Sequence, residues 1–292
     1  MLWVSAPAKV NLFLEITGQR ADGYHDLRML LQTISLWDRI GLMAIAGELE
    51  VVCNHPQVPT DESNLAVRAV RLLQQECPGR VGGVRLIIEK HIPVGGGLAG
   101  GSTNGAAVLW GLNQLWQLGL SPSQLHALAL QLGSDVPFCL QGGTAIAKGR
   151  GEILTPVTHF PTCNLVIAQP RGVSVSTAWA YKTFRAQRLI HQKIADTELL
   201  WQGLLSARDP QAVSQYLYND LERVVVAEIK AIAELRQQLL HLGCLGSLMS
   251  GSGACVFGIC QSAEQAESIK AKLPRDRVAS WVVTTGYYTL CI

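Results

Sequence analysis

Hydrophobic and polar residues alternate along the first strand-like stretch of the chain, from Ala8 to Ile16. A period of two predicts a half-buried strand, because successive side chains of a strand point to opposite faces. Lys9 and Asn11 fall together on the polar face. They form either an exposed surface or a lysine and an amide that a rigid strand carries toward a ligand. The apolar face comprises Ala8, Val10, Leu12, Leu14 and Ile16.

Apolar runs and capping residues divide the rest of the first half into further elements. Strands are predicted at residues 30–34, 40–45, 49–53 and 84–89. Helices are predicted at residues 65–75 with Asn64 as N-cap, from about Thr103 to Leu118, and from the capping box at Ser121 to Leu132. Glycine turns at 142–143 and 149–151 frame a hairpin-like piece, and residues 156–161 read as a hinge between prolines.

Strands and helices also alternate in the second half. Strands are predicted at 165–168 and 281–285, with polar helical sequence at 183–220, an amphipathic helix at 222–242 and a helix after Ser262. The glycine turn from Met249 to Gly258 leads into a strand, and its simplest interpretation is a hairpin. This order predicts helices layered on a mostly antiparallel, ferredoxin-like sheet. The chain is therefore predicted to be α+β, with domains at residues 1–158 and 159–292.

A glycine-rich loop separates the strand at 84–89 from the following helix. Glycine lets a ligand approach the main-chain N–H groups, and a helix N-terminus adds unpaired donors and a positive dipole end. Strand, loop and helix N-terminus together predict a phosphate site. The residues of this site are Pro93, Val94, Gly95, Gly96, Gly97, Leu98, Ala99, Gly100, Gly101, Ser102, Thr103 and Asn104.

Other kinds of glycine loop fit this sequence less well. A hairpin or linker is the plainest alternative. Residues 95–100 match the dinucleotide fingerprint, but no acidic residue lies between Gly105 and Ser134 to bind a ribose. A P-loop needs lysine after its last glycine, whereas Ser102 and Thr103 follow Gly101. The loop therefore favours a nucleoside-triphosphate enzyme of a third kind, whose cation comes from elsewhere in the chain.

Asp135 and the pair Tyr24–His25 each have two interpretations. Asp135 follows a long stretch without acidic residues and precedes Pro137, so it is either the N-cap of a short helix or a functional carboxylate. Tyr24 and His25 follow an Asp-Gly turn and serve either in packing or in binding.

Composition narrows the class of protein. The 292 residues are 48% hydrophobic and 16% charged with a net charge of +2, which is typical of a compact soluble protein and gives little support to nucleic-acid binding. No apolar run approaches the ~18 residues of a membrane span. Eight cysteines without a Cys-x-x-Cys pair indicate free thiols in a reducing cytoplasm and no structural metal. The sequence leaves the oligomeric state open.

Three segments, in this order, resemble the superfamily of galactokinase, homoserine kinase, mevalonate kinase and phosphomevalonate kinase, the GHMP kinases. They are Ser5–Leu12, Pro93–Asn104 and Ser250–Ala254. Within it, Ala6–Leu14 with Arg20–His25, Gly133–Pro137 and Gly151–Leu154 are similar to the branch that phosphorylates a cytidine-diphosphate-linked methylerythritol. The resemblance spans nearly the whole chain, although Ala99 stands where many members have glycine. It implies a ribosomal protein S5 domain 2-like N-terminal domain and a ferredoxin-like C-terminal domain.

The resemblance also implies a role for each candidate residue. Asp135 would take the proton of the acceptor hydroxyl, and Lys9 would keep Asp135 ionised and supply the cation that the loop lacks. The loop would bind the phosphates of ATP, with Ser102 or Thr103 helping to place Mg²⁺. Asn64, Lys90 and Asn104 would lie near adenine. The cytidine end and the acceptor would contact Asn11, Tyr24, His25, Thr177 and Tyr181, with Tyr181 stacked on the other side of the base.

Two alternatives remain at this point. A homoserine or mevalonate-type kinase is disfavoured by Tyr24 and His25. A non-catalytic nucleotide or RNA binder is conceivable because the N-terminal fold recurs in a ribosomal protein. The near-neutral charge and the combination of Lys9 with Asp135 argue against that binder.

Overall fold

The computed structural model describes residues 1–192 and 195–292, without the side chain of His191. The strands are β1 Leu2–Gln19, β2 His25–Ile45, β3 Glu50–Cys53, β4 Gly83–Glu89, β5 Thr144–Gly149, β6 Ile153–Pro156, β7 Asn164–Pro170, β8 Tyr218–Asn219, β9 Gly246–Met249, β10 Val256–Cys260 and β11 Val278–Thr284. The helices are α1 Leu65–Glu76, α2 Gly100–Leu115, α3 Pro122–Leu132, α4 Val136–Gln141, α5 Thr177–Ala186, α6 Thr197–Ser206, α7 Pro210–Gln215, α8 Glu222–Glu228, α9 Lys230–His241 and α10 Ala263–Lys272.

The first half of the chain forms a sheet covered by helices. Within the described residues this sheet has seven strands, in which β3, β4, β2, β1 and β8 lie side by side and β5 and β6 extend from β2. Apolar side chains of β1, β2 and β4 form one core with those of α1, α2 and α3. The predicted caps hold, because Asn64 accepts from the Ala66 N–H and the capping box at Ser121 is complete.

The second half forms an antiparallel sheet of four described strands in the order β11-β7-β10-β9. With α5 to α9 between β7 and β9, and α10 between β10 and β11, the order is β-α-β-β-α-β, which is the ferredoxin-like pattern. The predicted glycine-turn hairpin is confirmed as β9 paired with β10.

Three predicted elements are joined or divided differently in the structure. The strands predicted at 30–34 and 40–45 are parts of one strand, β2, because the chain pairs with β1 without interruption by a turn. The helix predicted at 222–242 is divided at Ile229, whose backbone is not helical and whose side chain packs on the C-terminal core.

β1 differs most from its prediction. Both faces of the strand are buried, so it is not half-buried. A register shift between Asn11 and Phe13 marks a β-bulge, and after it the side chains change faces. Ala8, Val10 and Leu12 therefore join one core cluster, whereas Leu14 and Ile16 join another.

Among the residues that the structure describes, none of the helices combines the length and the apolar character that crossing a bilayer requires.

Candidate active site

Lys9 and Asp135 meet at one wall of a cavity of about 810 Å³, called the central cavity below. The Lys9 Nζ lies 3.4 Å from Asp135 Oδ2 and donates to Asn11 Oδ1 at 2.7 Å. The Lys9 side chain is 5% exposed and that of Asp135 is 33% exposed, so the lysine is fixed in the wall while the carboxylate remains open to the cavity. A cation and a carboxylate so placed can stabilise negative charge and accept a proton at one point.

The two interpretations of Asp135 are separated by its contacts. The residue does stand at the N-cap position of α4, but its side chain makes no capping hydrogen bond to that helix. The carboxylate faces Lys9 instead. Since α4 has no need of this carboxylate as a cap, the side chain is available for chemistry.

The glycine loop forms the neighbouring wall. All residues from Pro93 to Asn104 line the central cavity except Thr103. Helix α2 begins at Gly100, earlier than predicted, after Ala99 in the left-handed region with φ 59°. In the described structure the N–H groups of Gly100, Gly101 and Ser102 have no intrahelical acceptor, as in the first turn of any helix.

Thr103 differs from the other residues of the predicted phosphate site, because it does not line the central cavity. Its N–H donates to the Ala99 carbonyl at 2.9 Å, because the helix starts early enough to use it. The side chain is completely buried and does not reach the central cavity. Ser102, which is partly exposed and lines the cavity, is therefore the hydroxyl of the loop that a ligand can contact.

The β9–β10 hairpin is docked onto the loop. Ser250 Oγ donates to the Gly97 carbonyl at 3.1 Å, and the N–H groups of Ala254 and Cys255 donate to the carbonyls of Gly95 and Gly96 at 3.0 and 3.1 Å. These bonds occupy carbonyl oxygens that would otherwise repel a phosphate. The glycine motif at 250–254 signals this segment in the sequence, but nothing in the sequence shows that it contacts the loop.

The three residues predicted near adenine all line the central cavity, and each also supports the structure. Asn64 caps α1, and its amide donates to the Pro59 carbonyl at 2.7 Å. Lys90 Nζ donates to Asp38 Oδ2 and lies 3.3 Å from Asn104 Oδ1. Asn104 Nδ2 also donates to Asp38 Oδ2, at 2.8 Å. The wholly buried Asp38, which the sequence analysis missed, thus organises this wall.

Three aromatic side chains, Tyr24, His25 and Tyr181, also line the central cavity, together with Thr177. They are called the aromatic cluster, the part of the cavity around them is called the aromatic end, and the part around the glycine loop is called the loop end. The rings of His25 and Tyr181 lie against each other, with centroids 5.3 Å apart and planes at 27°. A base between two rings needs about 7 Å, twice a carbon–carbon contact of ~3.5 Å, so no base fits between these two. Tyr24 is exposed, which leaves its ring accessible.

Burial sets the protonation of this cluster. Burial first, and then the charge of Arg185, hold the pKa of His25 below its ordinary value, so its imidazole is neutral at pH 7. Burial, with the charges of Asp135 and Asp220, raises the pKa of the Tyr181 hydroxyl, which stays a phenol. Both side chains therefore present neutral hydrogen-bonding edges and apolar faces.

Comparison with known proteins assigns the family. The model for the GHMP kinases N terminal domain matches residues 64–143, and that for the GHMP kinases C terminal domain matches residues 202–279. The chain is 50% identical over 285 residues to 4-diphosphocytidyl-2-C-methyl-D-erythritol kinase of Synechococcus sp. (strain JA-2-3B'a(2-13)), covering 95% of this chain and 91% of the relative. The chain belongs to the GHMP kinase family.

Further relatives agree with this membership. The kinase of the same name from Acaryochloris marina is 48% identical over 92% of this chain and 90% of its own. A crystal structure of 4-(cytidine 5'-diphospho)-2C-methyl-D-erythritol kinase superposes with a TM-score of 0.80 at 35% identity, covering 98% of this chain and 99% of that one. This GHMP kinase is accordingly an ATP-dependent small-molecule kinase, and a non-catalytic binder is not favoured.

Proposed function

We propose that this GHMP kinase transfers the γ-phosphoryl group of ATP to the 2-hydroxyl of 4-diphosphocytidyl-2-C-methyl-D-erythritol, a step of the non-mevalonate isoprenoid pathway. The observation that carries the proposal is the 3.4 Å pair of Lys9 and Asp135 in a cavity that the glycine loop and the aromatic cluster both line. The names and the high identity of the relatives support the choice of acceptor.

The proposed mechanism gives each wall one task. The N–H groups at the start of α2 bind the ATP phosphates, and the loop carbonyls are already occupied by the β9–β10 hairpin. Asp135 accepts the proton of the acceptor hydroxyl while the oxygen of that hydroxyl attacks the γ-phosphorus of ATP. Lys9 balances the negative charge of Asp135 before phosphoryl transfer, and it balances the negative charge of the phosphoryl group during the transfer. ADP then leaves with the bridging oxygen.

Mg²⁺ fits the donors near the loop. Among the described residues no group of three or more His, Cys, Asp or Glu side chains is arranged to hold a metal, and Asp135 is the one acidic residue that lines the central cavity. Mg²⁺ in kinases takes most of its ligands from phosphates and water. Ser102 would supply the protein oxygen, and the ion would neutralise charge on the phosphate oxygens.

The aromatic cluster is proposed to hold the cytidine. Tyr24 offers an accessible ring face, and neutral His25 offers a donor and an acceptor to the edge of a pyrimidine. Thr177, whose Oγ1 lies 2.8 Å from Ser252 Oγ, is proposed to contact the methylerythritol. Asn11 is proposed to orient the acceptor beside Lys9. Asn64, Lys90 and Asn104 are proposed to lie near adenine.

Two broader assignments accompany the proposal. All eight cysteines are free thiols, which supports action in the reducing cytoplasm. We also propose residues 1–158 as the ATP-binding and catalytic domain and residues 159–292 as the acceptor-side domain.

A coupled assay of ADP release tests the proposed function. The purified chain is supplied with ATP, Mg²⁺ and one acceptor from a panel of the cytidylated methylerythritol, homoserine and mevalonate. We expect turnover with the first acceptor alone. Faster turnover with homoserine or mevalonate would contradict the proposed substrate.

A further inference from the structure

Cations of the central cavity divide into two groups. At the loop end each lysine already has a carboxylate: Lys9 pairs with Asp135 and Lys90 pairs with Asp38. At the aromatic end lie Arg150, Lys182 and Arg185. None of these three takes part in an ion pair within the described residues. Three positive charges therefore face the cavity, and none of them is ion-paired to a carboxylate of the described residues.

Helix α5 holds two of these cations in place. Ala178, Tyr181, Lys182 and Arg185 line the cavity, and their spacing of three, four and seven residues puts them on one helical face. Phe184 points into the core and anchors the helix. Like charges three residues apart repel each other, so the pair of Lys182 and Arg185 slightly destabilises the free helix. An anion in the cavity would remove that repulsion.

The third cation, Arg150, comes from the turn between β5 and β6. The Arg150 guanidinium carbon lies 4.0 Å from the centroid of the Tyr24 ring, a cation–π contact that directs this side chain along the aromatic cluster. Asp22 is the nearby carboxylate, and it already binds Arg20 at 3.2 Å and the Tyr24 N–H at 3.1 Å. Arg150 thus remains available to a ligand beside the ring.

We propose that Arg150, Lys182 and Arg185 form a subsite for the diphosphate group of the acceptor, which makes this enzyme select a pyrimidine nucleoside diphosphate derivative over the nucleoside. The inference rests on the proposed function, which places the cytidine end among the same aromatic residues. Arginine and lysine bind phosphate oxygens through charge-assisted hydrogen bonds, which are stronger than neutral ones. The loop end would then hold the triphosphate and the aromatic end the diphosphate, with Lys9 and Asp135 between them.

Binding of CDP, CMP and cytidine to the full chain, measured by calorimetry, tests the subsite. The wild type should bind CDP at least tenfold more tightly than cytidine, and added salt should reduce this preference. Arg150→Ala, Lys182→Ala and Arg185→Ala should each weaken CDP binding roughly tenfold, the value of one charge-assisted hydrogen bond, while cytidine changes less than about twofold. Arg150→Lys should restore part of the loss. Lys148→Ala, an exposed cation two residues from Arg150 that does not line the cavity, is the matched control.

Several results would overturn the subsite. The first is a wild type that binds CDP and cytidine with equal affinity. The second is a loss of CDP affinity in the three variants that is no larger than the loss in Lys148→Ala. The third is a loss of affinity in the variants that is equal for CDP and cytidine. A thermal midpoint that falls in Lys182→Ala would indicate a structural role and also contradict the proposal. A wild type that prefers CDP but phosphorylates no acceptor supports the subsite and contradicts the proposed function, so the two failures are distinguishable.

Discussion

At the scale of single residues, Asp135 is a side chain of the site that does not cap its helix. Asp135 stands at the N-cap position of α4, but its carboxylate pairs with Lys9 and does not cap the helix. Asp38 is the contrasting case, because it is wholly buried and accepts hydrogen bonds from the N–H groups of His91 and Ile92 as well as from Lys90. One aspartate is therefore available for catalysis at one wall of the cavity, and another aspartate holds the structure of a second wall together.

Asp135→Asn should lower kcat at least ~10²-fold, because an amide cannot accept the hydroxyl proton. The KM for ATP should change less than about twofold, since the phosphates bind the loop. Urea unfolding should still show a folded chain, because no capping bond of α4 is lost, and the midpoint should fall only to the extent that the ion pair with Lys9 stabilises the fold. Steady-state kinetics and urea unfolding check this, with the exposed Asp276→Asn as the control. Retained turnover in Asp135→Asn would remove the residue from its proposed role.

His25→Ala should raise the KM for the cytidylated acceptor roughly tenfold while the KM for ATP stays within about twofold. The change removes a ring that stacks on Tyr181 and one hydrogen-bonding edge. Initial rates with each substrate varied in turn provide the comparison. His159→Ala, an exposed histidine outside the central cavity, should change neither constant. An equal rise in both KM values in His25→Ala would misplace the pyrimidine pocket.

At the scale of elements, the phosphate loop is shaped by the hairpin that packs on it. Three loop carbonyls accept hydrogen bonds from Ser250, Ala254 and Cys255, residues more than 150 positions away in the chain. Gly97 has φ 73°, and a methyl group there would overlap the Ser250 carbonyl oxygen. The loop glycines thus serve contact with the hairpin as well as approach of a ligand.

Gly97→Ala should separate the loop from the hairpin and raise the KM for ATP at least tenfold. Both the left-handed backbone and the contact with Ser250 oppose a side chain at this position. Kinetics with ATP varied, alongside far-ultraviolet circular dichroism to confirm folding, provide the measurement. The control is Gly82→Ala, where a methyl group meets no atom within 4 Å. An unchanged KM for ATP in Gly97→Ala would show that the hairpin does not shape the loop.

At the scale of the whole molecule, the two sheets are joined by a short strand and a buried carboxylate. β8 comes from the second half of the chain and pairs in parallel with β1 at Phe13 and Leu14. Asp220, directly after it, accepts from the Ile16 N–H at 2.8 Å and from the Tyr218 hydroxyl at 2.7 Å. Burial is the main reason that the pKa of Asp220 is raised above its ordinary value.

This raised pKa gives a signed pH dependence of stability. Between the ordinary value of about 3.8 and the higher folded-state pKa, the folded chain binds more protons at Asp220 than the unfolded chain does. The contribution of Asp220 to the free energy of unfolding therefore falls as pH rises through that window. Asp220→Asn does not titrate at this position, so the stability of the variant minus that of the wild type should increase as pH rises from about 4 through the folded-state pKa of Asp220.

Urea unfolding of the wild type and Asp220→Asn at several pH values tests this dependence. Glu222, whose pKa burial also raises, is present in both chains and cancels in the difference. Asp276→Asn, changed at an exposed position, should give a flat difference. If the stability of Asp220→Asn minus that of the wild type instead declined toward neutral pH, folding would lower the pKa of Asp220 and the proposed direction would be wrong.

The sequence by itself predicted most of the elements and named many residues that the structure brings together around the central cavity. Caps, glycine turns and hydrophobic periods act between residues close in the chain, so α1, α3, β4 and the β9–β10 hairpin are predictable from local sequence. The glycine loop and its flanking elements likewise predict an anion site from local sequence alone.

Only the tertiary structure decided which groups face one another. The bulge in β1 depends on pairing with β2, and the burial of Thr103 away from the central cavity depends on where α2 starts. The unpaired cations of the aromatic end come from α5 and from the turn after β5, and local sequence cannot show that they share a cavity. Distances between remote segments are set by packing of the whole core, and charge acts through those distances rather than along the chain.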